Sequence, residues 1–187
     1  MLKFDSEFPI NQKTTIMKRF ILLLTTMTLL VVSSVSAQDK TVQRPSDIGE
    51  SEFDNFKNNS FNVLEESTKL KRDLTHVDDE IKSYGGVLSE VATDKLKGHY
   101  QALTGIKKET ESVKSNLAEL DDKGKDMVAN ASKVTPKMKS IKATANTKKS
   151  VEGLDVAKGN LKAITDMLAE DTKLIAEELK SRGEPIE

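Results

Sequence analysis

Cysteine is absent from all 187 residues, which excludes disulfides, thiolate metal ligands, a thiol nucleophile and a lipidated N-terminal cysteine. Tryptophan is absent as well, and beyond residue 37 the aromatics are Phe53, Phe56, Phe61, Tyr84 and Tyr100. So few rings argue against a deep ligand pocket, which is usually lined by apolar and aromatic side chains. Histidine occurs only as His76 and His99, neither of them in a His-x-x-x-His or Glu-x-x-His spacing that places two ligands on one helix face. Charge of one sign is missing too: 29 Lys and Arg stand against 30 Asp and Glu, without the basic excess and aromatic motifs of a nucleic-acid binder. No segment alternates with period two, so no sheet is expected. Nor is there a Gly-x-Ser-x-Gly elbow, a phosphate-binding glycine loop or a metalloprotease helix motif, and the chain reads as non-catalytic.

One long apolar run is present, and it lies at the start. Met17-Lys18-Arg19 is followed by an apolar stretch from Phe20 to Val35 and the small residues Ser36-Ala37, the pattern of a cleavable export signal. The run falls below the roughly 20 residues needed for a membrane-crossing helix. Asp5, Glu7 and Pro9 precede the basic pair, an awkward opening for an export signal, so initiation at Met17 is expected; a long n-region is the alternative. Cleavage after Ala37 would leave 150 residues and remove four basic and two acidic side chains, giving 25 basic against 28 acidic. The expected product is one soluble domain, periplasmic or extracellular, from a Gram-negative bacterium. A retained signal anchor is the competing expectation.

Gln38–Pro45 is polar and aperiodic and reads as a mobile lead-in. From Ser46 the pattern changes. Positions 53, 56, 60, 63, 67, 70, 74, 77, 81, 84, 88 and 91 keep three-four spacing, and all but Ser60 and Ser67 are apolar or aromatic. A second seam runs through Leu103, Ile106, Thr110, Val113, Leu117, Leu120, Gly124, Met127, Ala131 and Val134, and a third through Leu154, Ala157, Leu161, Ile164, Leu168, Ile175 and Leu179. Gly85-Gly86 predicts the first turn, because paired glycines cost about 1 kcal/mol each inside a helix relative to alanine. Thr135-Pro136 predicts a capped helix start, and Gly183 with Pro185 predicts a stop. The reading is an all-α, elongated antiparallel three-helix bundle with coiled-coil-like seams, its helices spanning 46–84, 87–131 and 136–182, followed by a tail over 183–187. Two alternatives compete: a first helix running to Lys97 with its turn at Gly98 or Gly105, and a fourth helix created by a break near Asn146.

Charge is unevenly placed along these helices. Asp47, Glu50, Glu52, Asp54, Glu65 and Glu66 open the first helix with Lys57 as the only base among them, whereas residues 127–151 carry Lys133, Lys137, Lys139, Lys142, Lys148 and Lys149 and no acid. An up-down-up bundle brings these segments to one end, where opposite charges favour the pairing at roughly 0 to 1 kcal/mol per exposed pair. The lysines, interleaved with Val134, Met138 and Ile141, are also the candidate contact for an anionic lipid or polymer; the plainer reading is a solvated helix face.

The remaining candidates are weaker. His76 with Asp73, Asp79 and Glu80 could build a loose metal site, but an ordinary exposed helix surface has the same composition and is the reading adopted. Haem ligation by a histidine with Met127, Met138 or Met167 would make the chain a small-molecule carrier. The pairs Asp78-Asp79, Asp121-Asp122 and Glu177-Glu178 point about 100° apart on a helix and present no two carboxylates to one substrate. Phe53, Phe56 and Phe61 are expected to plug one end of the core, Phe61 facing the third helix, or else to form an exposed partner patch. The two Asn-x-Ser sequons, at Asn58 and Asn130, are expected to be incidental. The combination of leader and long helices is similar to that of periplasmic holdase chaperones, with no diagnostic motif shared. No cofactor, metal or nucleic acid is expected. The functional expectation is an exported binding, scaffold or envelope-interaction module with an unidentified protein or envelope partner, possible self-association and no membrane span after cleavage.

Overall fold

The computed structural model describes residues 42–186; the expected leader at 17–37 and the first part of the lead-in, 38–41, lie outside them. Three long helices pack against one another, α1 (Ser51–Ser83), α2 (Thr93–Ala131) and α3 (Lys137–Ser181), with a 3₁₀ turn at Leu88–Glu90 between the first two. There is no strand among the described residues. The bundle runs up, down and up.

The seams explain the packing. Every position of the third is buried, and in the first and second each is buried or half-buried; Leu74, Leu96, Leu103, Ile164 and Ile175 are wholly inaccessible. Side chains three and four residues apart share a helix face, so each seam turns one continuous stripe inward. The helices meet at a narrow level near Gly124, where a Cβ would lie 3.5 Å from both the Phe56 ring on α1 and a Val151 methyl on α3.

The turn falls at Gly85-Gly86, with φ of 60° and 79°, the left-handed region that only glycine enters without strain. Gly98 and Gly105 lie inside α2, and α3 passes Asn146 unbroken, so neither alternative topology is formed. The ends differ from the sequence reading. The first helix starts at Ser51, not 46, because Gly49 turns the chain at φ 77° and the Asp54 carboxylate accepts the Ile48 and Gly49 N–H groups, each at 2.9 Å. The second starts at Thr93, not 87, since residues after the glycines are drawn into the 3₁₀ turn that plugs Leu88 into the core. Thr135 does not cap α3: Pro136 occupies the cap position in extended conformation, without a side-chain cap, and its carbonyl accepts from Lys139 N and Ser140 N.

Residues 42–50, which include the described part of the expected lead-in, run back along α1. Arg44 donates to Asn62 and Glu65 at 2.8 and 3.1 Å and lies over the Phe61 ring. Phe53 and Phe56 join the core. Lys57 is 2 % exposed and bonds to Asp47, so a lysine that stood alone among acids is held by one of them.

Candidate functional site

The six lysines cluster at the end where α1 and α3 begin and α2 ends. Lys139 pairs with Glu50 at 2.7 Å, joining the basic segment to the acidic one across the bundle. Lys133 donates to Asn130 Oδ1 at 3.0 Å. Lys137, Lys142, Lys148 and Lys149 are exposed, and no ion pair holds them among the described residues. Only one of the six is therefore neutralised by an acid.

This stretch of α3 overhangs its neighbours. From the level where Phe56 and Val151 meet at Gly124, α1 continues five residues back to Ser51 and α3 fourteen back to Lys137, so α3 extends about 13 Å further at 1.5 Å per residue. The segment 46–50 covers part of the overhang: Ser46 accepts from Asn146 Nδ2 at 2.7 Å. The inward side here is unlike the rest of the seam. It is made of Ser140, Ala143, Asn146, Thr147 and Ser150, with Ser140 and Ser150 hydroxyls donating to Ser132 O and Asn146 O.

The large apolar side chains of the same turns face outward. Met138 is 66 % exposed and Ile141 56 %, and with Val128 they supply three of the five exposed large hydrophobics among the described residues. Burying an Ile or Met side chain is worth roughly 1.5–3 kcal/mol, a gain that Met138 and Ile141 forgo in this position. Val134, grouped with them in the sequence, is half-buried and packs against the core instead.

The other candidates are dispersed. His76 is exposed, its Nδ1 3.6 Å from Glu80, and among the described residues no group of three or more His, Cys, Asp or Glu is placed to hold a metal. His99 is buried and its Nε2 is 2.7 Å from the Tyr84 hydroxyl; burial pushes its pKa below the usual value. His99 and Met127 stand on one helix, 28 residues or about 42 Å apart, while Met138 is exposed at the basic end, so neither joins His99 around one ligand. In each carboxylate pair the two members differ in environment: Asp78, Asp121 and Glu178 are buried or half-buried and Asp79, Asp122 and Glu177 exposed. The Asn58 sequon lies within α1 with its Ser60 buried and bonded to Phe56 O, and that at Asn130 closes α2.

One buried group was missed. Asp171, 5 % exposed, faces α1 beside Asp78, and its Oδ2 has no hydrogen-bond partner. Desolvation, reinforced by Asp78 and Glu170 against Lys82, raises its pKa to about 6. The signal was in the sequence: between Leu168 and Ile175 the three-four spacing steps onto residue 171, and the seam is apolar at every position but that one. His99 likewise continues the second seam backwards, four residues before Leu103.

Comparison with protein-family models, curated proteins and solved structures finds no match.

Proposed function

We propose that this chain is an exported, non-catalytic binding protein that acts by presenting the basic end of its bundle to an anionic component of the cell envelope. The observation that supports this reading is the set of unneutralised lysines there: of Lys133, Lys137, Lys139, Lys142, Lys148 and Lys149, only Lys139 is paired with an acid. Elsewhere on the bundle lysines sit beside acids, as Lys158 does with Asp121 at 2.6 Å and Lys82 with Asp78 at 2.7 Å. An unneutralised lysine face attracts anions over about a Debye length, roughly 8 Å at physiological salt, and its binding weakens as salt rises.

The test is charge reversal at Lys137, Lys142, Lys148 and Lys149 together, with thermal melting and retention on immobilised heparin measured side by side. The wild-type chain is expected to stay bound above physiological salt, and the fourfold glutamate variant to elute at low salt with a melting temperature within a few degrees of wild type. A wild-type chain that flows through heparin at low salt sinks the reading.

A further inference from the structure

We propose that the first four turns of α3 lie on an anionic lipid bilayer, with Met138 and Ile141 entering the boundary between headgroups and acyl chains. The inference rests on the anionic-surface reading and names the surface. At about 100° per residue, Ile141, Ala145 and Met138 occupy the middle of an exposed arc of roughly 140°. Lys137 and Lys148 lie along one edge of that arc, Lys142 and Lys149 along the other. The arrangement is an apolar strip bordered by ammonium groups on both sides.

That order of residues favours a bilayer over a polyanion. A soluble polyanion is satisfied by the lysines, and an uncovered Met and Ile between them add nothing to its binding. At a membrane the two kinds of side chain act together: the apolar strip enters the interface while lysine stems on either flank lie along it and raise their charges to the phosphates. The helix is placed for this, because its overhang carries the strip beyond the start of α1, where the nearest acidic segment is already engaged through Glu50 and Lys139. No acid occurs between Met127 and Val151, and Glu152, within the same arc, marks the limit of the surface. The inward side of these turns, built from Ser140, Ala143, Asn146, Thr147 and Ser150, keeps the strip facing out, since turning it inward would expose a polar face and break the Asn146 bond to Ser46 O.

The absence of tryptophan makes Met138→Trp a unique reporter. The chain carrying it is mixed with phosphatidylcholine vesicles containing one-third phosphatidylglycerol, with pure phosphatidylcholine vesicles, and with heparin as a lipid-free polyanion. The expected result is a blue shift of emission on the anionic vesicles alone, reversed by high salt. In parallel, Met138→Ser with Ile141→Ser, otherwise wild type, is expected to lower anionic-vesicle affinity at least tenfold and leave heparin elution unchanged. Heparin binding without a blue shift, or a serine variant that binds vesicles as well as wild type, overturns the bilayer proposal and leaves the anionic-surface reading standing, with an acidic protein groove as the next partner to try. Failure to bind either heparin or vesicles overturns both.

Discussion

Ile141 and Ile175 are the same residue on the same helix, yet the first is 56 % exposed and the second wholly buried. The difference belongs to the two ends of the bundle. Around Ile175 the side chains hold the fold together: Arg182 donates to Leu88 O, to Val91 O at 2.7 Å and to Thr93 Oγ1 at 3.0 Å, and its Nε donates to Glu178 at 2.8 Å. One guanidinium thus ties the end of α3 to the connection between α1 and α2. Tyr84 with His99 and Lys97 with Glu184 reinforce the same end. At the opposite end the inward face of α3 is small and hydroxylated and its Met138 and Ile141 face out, the large core side chains there being Phe53, Phe56 and Met127 of the other two helices, and Lys139 pairs with Glu50 across the bundle. Along α3, then, the first end turns large side chains into the core and the second turns Met138 and Ile141 away from it.

The sharpest way to break this comparison is truncation of the buried isoleucine. Ile175→Ala removes a side chain with no exposed surface, and such changes cost about 2–5 kcal/mol through lost transfer energy and the cavity left behind. A chemical-denaturation midpoint close to wild type would mean that the core at this end is not what holds the bundle.

Next in size is the buried acid. Asp171 titrates near 6 in the folded chain and near 3.9 when unfolded, so the fold disfavours its ionised form. Its cost is fully present above about pH 6 and is relieved as pH falls toward 4, where the folded state binds the extra proton. His99 acts in the opposite direction: burial lowers its pKa, so the fold favours the neutral ring, and that contribution is lost as pH falls below 6.5. Asp171→Asn should therefore stabilise the chain at pH 7.5 by on the order of 1–3 kcal/mol, and the gain should shrink toward pH 4. Melting curves of wild type and variant across this range decide it; a gain that does not vary with pH contradicts the assignment.

What the sequence revealed and concealed follows from the same physics. The three seams were legible because three-four spacing of apolar residues fixes which face of a helix turns inward, and the turn at Gly85-Gly86 was legible because adjacent glycines disfavour a continuing helix. The helix starts were not. They depend on a carboxylate, Asp54, reaching back to the Ile48 and Gly49 amides, and on a 3₁₀ turn chosen by the fit of Leu88, neither of which periodicity records. Asp171 was hidden by reading a seam through its hydrophobic members and passing over the charged one. The lysine cluster was visible as composition, and the acidic opening of the first helix correctly suggested where it would meet the bundle; Glu50 and Lys139 carry out that pairing. The outward turn of Met138 and Ile141 needed the structure, because the third seam begins only at Leu154 and sets no register for the turns before it.

The smallest effect is the most discriminating. Ile141→Ala deletes as many atoms as Ile175→Ala, from a side chain that is more than half exposed and has little packing to lose. Alanine is also the better helix former, by a few tenths of a kcal/mol. The expected change in stability is within about 0.5 kcal/mol of zero, as for ordinary surface substitutions, with the balance on the stabilising side. If Ile141→Ala instead cost as much as a core truncation, its side chain would have to be buried against protein in solution, and the apolar strip would belong to an interface between copies of the chain. Paired denaturation curves at two protein concentrations separate these outcomes, because stability drawn from a self-contact falls on dilution in the wild type and not in the variant, so the difference between the two shrinks.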